Sequence, residues 1–530
     1  MIGENILDVL IVGGGPTGSA LAIDLTRRGL DVRLIERRSH AFDGSRAKGV
    51  QPRSLEVFAD LGVLDEILDG GSLYPKLGIH IGPFTVPWRM FSNKQPSDDV
   101  PYPNTWLIPQ FRIDRILHAC LERQGRRVEF GTELIELAEG PDVVHCKVST
   151  EAGIQQIAAR YVVGADGGGS TVRQKLGLEF IGTTDESDRI LIVDAAVSGL
   201  ARDRWHMWPG AAGRFVGACP LPHSDLFQFM VRLSPGEAPP QDNDSIIALL
   251  ESRLGNPRVR LHSIRWQSVF RPNIRLAERY RRGRVFVAGD AAHVHPPAGA
   301  QGLNTGIQDA YNLGWKIAQV LAGANPTLLD TYEAERQPIA SGVLGLSTKK
   351  YEGIGRLDPS SIRRGKDEQQ LLLTYQGGPL APSNAEQTKT LRPGDRAPDA
   401  QLRDAQGAPL RLFDIYRGHH FTAVAYGRHA AEDCRTLLWP SAGAPLRRVF
   451  VEVGDLHKDT AFTDPSQSFK RHYGVTGDTL ILVRPDGYIA HIATRDIATT
   501  TMAASQAMIP PHSRSPELCP EAIRGKEASR

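Results

Sequence analysis

The sequence predicts an α/β fold with more than one domain. A strand, a glycine-rich turn, a helix and a second strand follow one another over residues 8–36. Strand-like segments then dominate between about 127 and 275, and a further compact unit begins near residue 395. At roughly 100–200 residues per domain, a chain of 530 residues has room for several such units.

The N-terminal unit is a predicted β–α–β element. Residues 8–13 form a short apolar run typical of a buried strand. Residues 19–28 carry helical apolar spacing, and Gly29 follows as a usual helix terminator. Residues 31–36 form the second strand. A connection of this length favours a parallel pair with a right-handed crossover.

The turn of this unit has the G-x-G-x-x-G spacing of a Rossmann-type dinucleotide site. Gly13 permits the tight turn, Gly15 lets the backbone approach a pyrophosphate, and Gly18 lets helix and strand pack closely. The pyrophosphate would lie at the helix N-terminus, where free N–H groups and the dipole favour an anion. Glu36 ends the second strand and can accept hydrogen bonds from ribose hydroxyls.

Two further motifs place an aspartate beside glycine at the end of an apolar strand. They are Asp166, within residues 162–173, and Asp290, within residues 283–304. Ligands of parallel sheets bind at the carboxyl ends of strands, so both aspartates are candidate site residues. His293 and His295 lack a third ligand at metal-site spacing, which favours a packing role and predicts no metal.

The middle of the chain contains predicted antiparallel strands. Residues 127–163 alternate as a meander within the first unit, and residues 180–275 interleave strands with aromatic side chains. Several of these side chains are candidates to line a flat apolar substrate cavity, although packing in the core explains them equally well: Trp205, Met207, Phe215, Phe227 and Phe229. Strand alternation places Phe227 and Phe229 on one face.

The C-terminal part divides by composition. Helices are predicted over about 304–321 and 328–349. Residues 358–393 are rich in Gly, Pro and Ser and indicate a linker, and residues 394–498 indicate a compact unit. The tail, residues 499–530, mixes small, polar and proline residues, which predicts disorder.

Composition excludes several classes of function. With 62 basic and 60 acidic residues the net charge is +2, which gives no general attraction to nucleic acid or to an anionic membrane. No apolar run is long enough to span a bilayer, and the first residues lack the basic start of a signal peptide. Five separated cysteines without a C-x-x-C pair disfavour disulfides and zinc. We therefore expect a cytoplasmic protein.

The three motifs together resemble the single-component FAD-dependent aromatic hydroxylases, the group of para-hydroxybenzoate, phenol and polyketide hydroxylases. The likeness covers about residues 5–345, and the C-terminal unit looks like the thioredoxin-like domain of the phenol and polyketide hydroxylases. It implies an α/β fold with a Rossmann-type FAD-binding domain, an inserted mixed β-sheet substrate domain and a C-terminal thioredoxin-like domain. The expected boundaries are 1–75, 106–178 and 276–357 for the FAD-binding domain, and 76–105 and 179–275 for the substrate domain.

The resemblance also implies the residues of the site. The expected FAD contacts are Gly13, Gly15, Gly18, Glu36, Arg46, Gln51, Gln110, Asp166, Asp290, Pro297, Gly302, Leu303 and Asn304. The backbone N–H groups of residues 302–304, at a helix N-terminus, would stabilise negative charge on the reduced flavin. Pro297 is also a candidate substrate contact. The sequence does not identify a base that would deprotonate a phenol, and His206 and Tyr311 are its titratable candidates.

The implied reaction is hydroxylation of a phenolic or polyketide aromatic substrate through a flavin C4a-hydroperoxide. FAD is the cofactor, O2 and NAD(P)H are co-substrates, with NADPH slightly preferred, and the resemblance admits a homodimer. Two alternatives stay open at this point. One is a sibling monooxygenase that inactivates an antibiotic, and the other is a flavin reductase or redox scaffold that oxygenates nothing.

Overall fold

A computed structural model describes residues 6–90, 93–210, 214–296, 300–355, 365, 367–454 and 461–511. Within these ranges, no helix combines the length and apolar character needed to cross a membrane. The first part of the chain contains four helices and seven strands before the sheet meander: β1 (Leu7–Val12), α1 (Pro16–Arg27), β2 (Val32–Glu36), β3 (Gly49–Val50), α2 (Pro52–Leu61), α3 (Leu64–Asp69), β4 (Ser72–Leu73), β5 (Lys76–Ile81), β6 (Phe84–Trp88), β7 (Trp106–Leu107) and α4 (Gln110–Arg123).

The middle of the chain is mostly strand. Its elements are β8 (Val128–Phe130), β9 (Glu133–Glu139), β10 (Val144–Thr150), β11 (Gly153–Gly164), α5 (Thr171–Lys175), β12 (Phe180–Thr184), β13 (Ile190–Ser198), β14 (Arg204–Pro209), β15 (Phe215–Pro220), β16 (Leu226–Arg232), α6 (Asn243–Leu254), β17 (Arg260–Phe270), β18 (Asn273–Ala277), β19 (Arg281–Arg282), β20 (Val285–Val287) and β21 (His293–Val294). Two long helices follow, α7 (Gly302–Leu321) and α8 (Asp330–Gly355).

The first sheet has the order β19-β20-β11-β1-β2-β8, with β9 and β10 attached to β11 as an antiparallel meander. The pairs β20/β11, β11/β1, β1/β2 and β2/β8 are parallel. This is the parallel arrangement expected of the predicted Rossmann-type domain. The residues of β1 are buried almost completely, because helices cover the sheet and the strand reads as a continuous apolar run.

The second sheet has the order β17-β13-β16-β15-β14-β5-β6. Its pairs are antiparallel except β14/β5, so the sheet is mixed, as the sequence analysis expects. Helix α6 covers one face, where Ile246, Leu250 and Leu254 are buried. The opposite face borders the segment that includes β3 and the residues before it. This second face is the one that lies toward the predicted nucleotide site.

The C-terminal unit contains a five-stranded mixed sheet of order β26-β25-β24-β27-β28. Its elements are β22 (Gln401–Arg403), β23 (Pro409–Arg411), α9 (Leu412–Tyr416), β24 (Phe421–Tyr426), α10 (Arg428–Thr436), β25 (Leu446–Val451), β26 (Ala461–Phe462), α11 (Ser468–Tyr473), β27 (Thr479–Val483), β28 (Ile489–Ala493) and α12 (Ile497–Ser505). Cys434 on α10 is buried and free, and burial raises its pKa to about 12. The thioredoxin-like character of this unit stays a prediction.

The disorder predicted from residue 499 is wrong for residues 499–511, and residues 512–530 lie outside the described residues. Helix α12 continues to Ser505, and Met508 and Ile509 after it are buried. Small and polar composition suggested a solvated tail. Met508 and Ile509 nevertheless bury their side chains in the core of the C-terminal unit, and Gln319 of α7 donates a hydrogen bond to the Met508 carbonyl (2.9 Å).

The second half of the predicted linker is not a free spacer. From residue 367 onward it packs against the first unit, with Tyr375 buried. Gln370 Nε2 donates to Gln301 Oε1 (2.6 Å), and Gln308 Nε2 donates to Gln370 Oε1 (2.6 Å). Gln370, one of the polar residues that suggested solvent exposure, is instead buried and paired with Gln301 and Gln308 beside it.

Candidate active site

The glycine-rich turn between β1 and α1 has the shape that a pyrophosphate requires. Gly13 has φ +113°, and a Cβ there would lie 2.3 Å from the Ala165 carbonyl oxygen. A Cβ on Gly18 would lie 2.0 Å from the Gly13 oxygen, so helix and turn touch. A Cβ on Gly15, by contrast, meets no described atom within 4 Å. Open space in front of the α1 N-terminus is where an anion is best stabilised.

Glu36 lies at the end of β2 beside this turn. Its Oε2 accepts a hydrogen bond from the Gly14 N–H (2.9 Å), and its Oε1 accepts from Arg38 Nε (2.9 Å). Burial opposes ionisation, but the hydrogen bonds and charge of Arg38, with the Gly14 N–H, leave the pKa of Glu36 lowered. The side chain is therefore an anionic hydrogen-bond acceptor beside the glycine-rich turn.

The aspartate of the second motif is committed to the protein itself. Asp166 accepts hydrogen bonds from the Ser170 hydroxyl (2.5 Å) and from the backbone N–H of Thr171 (2.7 Å), so it caps α5. Arg173 on this helix donates to the carbonyl of Ala291 in the third motif (2.8 Å). Asp166 thus orders the start of α5, and Arg173 of the same helix holds the second motif against the third.

Gly289 of the third motif and Gly306 on α7 converge on the first motif. A Cβ on Gly289 would lie 2.6 Å from Thr17 Oγ1, and one on Gly306 would lie 2.4 Å from the same atom. Asp290 is half-buried, and its Oδ1 lies 3.8 Å from the position of a Cβ on Gly302. The third motif and the N-terminus of α7 therefore face the same space as the pyrophosphate turn.

A buried ionic cluster that the sequence analysis missed supports this junction. Asp309 on α7 accepts hydrogen bonds from His293 Nε2 (2.7 Å), Arg336 Nε (2.7 Å) and the Gly289 N–H (3.0 Å). All four groups lie in the interior. His293 therefore has a packing role in the interior. In the sequence, Asp309 could have been noticed as a charged residue within an otherwise apolar predicted helix.

Asn304 fixes the first turn of α7. Its Nδ2 donates to the carbonyls of Gly49 (2.8 Å) and Ala300 (2.7 Å), and its Oδ1 accepts from the Gln51 N–H (2.8 Å). Its side chain is thus engaged, whereas the backbone N–H groups of residues 302–304 have no partner from a preceding helical turn. Leu303 is half-buried beside them, and Pro297 lies outside the described residues.

Three polar residues expected at the flavin differ in environment. Gln51 is buried, and its Oε1 accepts from the Thr105 hydroxyl (2.9 Å). Gln110 begins α4, and its N–H donates to the Ala47 carbonyl (2.8 Å). Arg46 is exposed and has no hydrogen bond or ion pair with any residue that the structure describes. Gln51 and Gln110 are therefore hydrogen-bonded within the protein, whereas the exposed guanidinium group of Arg46 is available to an anionic ligand.

Helix α4 presents two further polar side chains that the sequence analysis missed, spaced one turn apart. Asp114 is buried, its Oδ1 has no hydrogen-bond partner among the described residues, and burial raises its pKa to about 8. His118 Nε2 donates to the Gly14 carbonyl (2.9 Å). With Gln110 they follow i, i+4, i+8 spacing, which puts all three on one helix face toward the turn.

The strand register divides the candidate substrate residues between the two faces of the second sheet. Met207 pairs with Gly217, and Gly217 pairs with Met230, so these positions share one face with Trp205 and Phe215. Phe227 and Phe229 point the other way. They are buried with helix α6, so their expected contact with substrate is wrong, and packing in the core accounts for them.

Neither titratable candidate is a base for the substrate. His206 lies on the core face, with its Nδ1 2.8 Å from His80 Nε2 and its Nε2 donating to the Ala201 carbonyl (2.7 Å). Burial lowers the pKa of His206. Tyr311 is buried on α7, its hydroxyl donates to Asp60 Oδ2 (2.8 Å), and burial raises its pKa well above the usual range. Both groups are fully engaged elsewhere.

The glycine-rich turn of residues 13–18, Glu36 and the N-terminus of α7 together form a cradle for a nucleotide. The fold and this cradle define a dinucleotide-binding protein of the Rossmann type. Residues 6–347 match the family described as "FAD binding domain", and residues 390–509 match "Aromatic-ring hydroxylase, C-terminal". The chain therefore belongs to the FAD-dependent aromatic-ring hydroxylases, and it is a flavin-dependent monooxygenase. The open space at Gly15, the free N-termini of two helices and the carboxylate of Glu36 fit FAD.

Relatives and solved structures agree with this assignment over nearly the whole chain. The chain is 40% identical to a flavin-dependent monooxygenase of Mycobacteroides abscessus, over 91% of this chain and 96% of that protein. It is 32% identical to 6-methylpretetramide 4-monooxygenase of Streptomyces rimosus, over 94% and 93%. The structure of aklavinone-11 hydroxylase with FAD and aklavinone superposes with a TM-score of 0.77 at 25% identity, covering 96% of this chain and 100% of that one.

Proposed function

We propose that this monooxygenase hydroxylates a fused-ring phenol of the polyketide type, with NAD(P)H as reductant and O2 as oxidant. The observation that carries the proposal is the broad apolar wall formed by Trp205, Met207, Phe215 and Met230 on one face of the second sheet. A flat wall of large side chains suits a planar, multi-ring substrate. The relatives named for 6-methylpretetramide and aklavinone support the same substrate class.

The residues of the cradle have distinct proposed roles. Gly13, Gly15 and Gly18 admit the pyrophosphate, and Glu36 holds the adenosine ribose. Asp290 and the N-terminus of α7 face the remainder of the cofactor. Bound FAD supplies the redox and oxygen-transfer chemistry, while the protein positions the two ring systems and excludes water.

The wall and the N-terminus of α7 approach each other through residues 48–51. The carbonyl of Gly49 accepts a hydrogen bond from Asn304 at the first turn of α7, and the side chain of Lys48 contacts Met230 of the wall. A substrate stacked on the wall would therefore lie beside the flavin ring. The N–H groups of α7 would stabilise negative charge there.

Steady-state turnover of the FAD-loaded protein tests the substrate class. NADPH and NADH oxidation would be measured with phenol, 1-naphthol and alizarin, a dihydroxyanthraquinone, and products would be identified by mass spectrometry. We expect alizarin to stimulate NAD(P)H oxidation about tenfold more than phenol, since the larger ring system gains more binding energy on the wall, and to yield a hydroxylated product. Equal stimulation by phenol would contradict the fused-ring class, and comparison of the two nucleotides would identify the reductant.

A further inference from the structure

Lys48 lies between the cofactor cradle and the substrate wall. Its carbonyl accepts hydrogen bonds from the Ile108 N–H (3.0 Å) and the Tyr74 hydroxyl (3.2 Å). The next residue, Gly49, accepts from Asn304 at the first turn of α7. The backbone is thus pinned beside the helix N-terminus that is proposed to face the flavin.

The side chain of Lys48 reaches the open face of the second sheet. Its Nζ donates to Gln228 Oε1, lies 3.9 Å from Met230 Sδ and stands 4.8 Å from the ring centroid of Trp205. These partners come from β14 and β16 and share the face that forms the proposed wall. The ammonium is therefore part of the surface on which the substrate would stack.

The charge of Lys48 is not neutralised by a neighbouring carboxylate. No carboxylate of the described residues lies within 4.0 Å of its Nζ. The acidic groups that face it are Asp194 on β13 and the Cys219 thiol on β15. Both oxygens of Asp194 are engaged by Ser45, one by its N–H (2.7 Å) and one by its hydroxyl.

Desolvation dominates the titration of this cluster. It lowers the pKa of Lys48, raises that of Asp194 to about 6 and raises that of Cys219 to about 11. An ammonium without an ion-pair partner in such surroundings costs free energy, and a ligand anion would recover it. The contact with the Trp205 ring compensates for part of that cost.

We propose that Lys48 binds the ionised hydroxyl oxygen of the aromatic substrate and so favours the phenolate form beside the flavin. This proposal rests on the proposed function and names the group that recognises its substrate. On binding, the phenol O–H bond breaks, its proton passes to solvent, and the ammonium keeps its three protons while it donates to the oxygen. A phenolate ring is richer in electrons than a phenol ring and is the better acceptor of an electrophilic oxygen.

Titration of a bound chromogenic phenol tests the proposal without turnover. Alizarin changes colour when it ionises, so its absorption can be followed against pH on the oxidised, FAD-loaded protein. We expect bound alizarin to ionise about one pH unit below free alizarin, which is a tenfold larger ionisation constant. Lys48→Met, which keeps the length and removes the charge, should abolish the shift, and Lys48→Arg should retain much of it.

Met207→Leu is the matched control, because it alters the same wall without altering charge, and it should keep the shift. FAD content and thermal melting of each variant show that it folds. An unshifted probe on the wild type, or a full shift in Lys48→Met, would overturn the role of Lys48 and leave the proposed function standing. If the wild type bound neither alizarin nor 4-nitrophenol, that result would contradict both the proposed function and the role of Lys48.

Discussion

Arg396 and Glu56 form a buried ion pair with two contacts between residues far apart in the chain. Arg396 Nε lies 2.8 Å from Glu56 Oε2, and Arg396 Nη2 donates to Glu56 Oε1. Arg53 donates to the same carboxylate (2.8 Å) and also to the Asp486 carbonyl (2.7 Å). Arg53 and Glu56 lie on α2, directly after residues 49–51 that hold the N-terminus of α7. The C-terminal unit thus packs against α2 and supports residues 49–51, which lie beside the N-terminus of α7.

Removal of one partner of this pair should destabilise the whole protein. Arg396→Met leaves Glu56 with one cation fewer in a buried site, and we expect a loss of about 3–5 kcal/mol in the free energy of unfolding. Urea unfolding measures it. Replacement of both residues by methionine should cost less than the sum of Arg396→Met and Glu56→Met, since the interaction between the two side chains can be lost only once. Additive losses would contradict a direct pairing.

Two alanine substitutions in the same turn should separate cofactor binding from folding. Gly18→Ala places a methyl group 2.0 Å from a backbone oxygen, and we expect a loss of about 1–3 kcal/mol or more in the stability of the apoprotein. Gly15→Ala meets no described atom, so apoprotein stability should stay within about 0.5 kcal/mol. Its affinity for FAD should fall by about tenfold or more, because the methyl group fills the place of the pyrophosphate.

Fluorescence titration with FAD and thermal melting of the apoproteins give both quantities. Unchanged FAD affinity in Gly15→Ala would contradict the assignment of this turn to the pyrophosphate. Normal stability of Gly18→Ala would contradict the close packing of α1 on the turn.

Asp114 should make the stability of the apoprotein depend on pH. Because its pKa is raised to about 8 in the folded state, the unfolded chain ionises first as pH rises from about 4. Stability contributed by the neutral carboxyl is present at low pH and is lost between about pH 4 and 8. The side chain of Asp114→Asn stays neutral at every pH. The stability of this variant relative to the wild type should therefore rise with pH. The difference in the free energy of unfolding should reach several kcal/mol at most, since each unit of pKa shift is worth ~1.4 kcal/mol.

Urea unfolding at intervals across that pH range tests this expectation. Asp142→Asn is the control, because the side chain of Asp142 is 95% exposed, and it should follow the wild type. Parallel curves for Asp114→Asn and the wild type would show that the carboxyl is not neutral in the fold.

The two faces of the second sheet should respond differently to truncation. Phe229→Ala opens a cavity against α6 and should cost about 3–5 kcal/mol of unfolding free energy. Met207→Ala lies on the opposite, half-buried face, so it should cost less stability and weaken the binding of alizarin. Unfolding curves and titration with alizarin distinguish the two variants. A larger loss of stability in Met207→Ala, together with weaker alizarin binding in Phe229→Ala, would contradict the assignment of the substrate to the face that carries Met207.

The elements of the nucleotide fold were predictable because their signals are local. The glycine spacing, the apolar strands and Glu36 at the end of β2 lie within one short stretch, and observed element ends differ from the predicted ones by at most three residues there. The aspartates at strand ends were also correctly located, but sequence could not tell that Asp166 caps α5.

The remaining features depend on contacts between distant parts of the chain. Alternation placed Phe227 and Phe229 on one face but could not show which face packs on α6. The position of Lys48 on the wall depends on β14 and β16, which are distant from it in sequence. The burial of the Asp114 and Asp309 carboxyl groups depends on elements that are distant in sequence from both residues. Met508 and Ile509 looked solvated because their neighbours in sequence are small and polar.

As a flavin-dependent monooxygenase, this chain should transfer one oxygen atom of O2 to an aromatic substrate. Turnover of the FAD-loaded protein with NAD(P)H and a fused-ring phenol under isotopically labelled O2, followed by mass spectrometry, measures this transfer. We expect a product that carries one labelled oxygen atom on the ring. Nucleotide oxidation that yields labelled hydrogen peroxide and an unchanged phenol, across every fused-ring and simple phenol supplied, would contradict it.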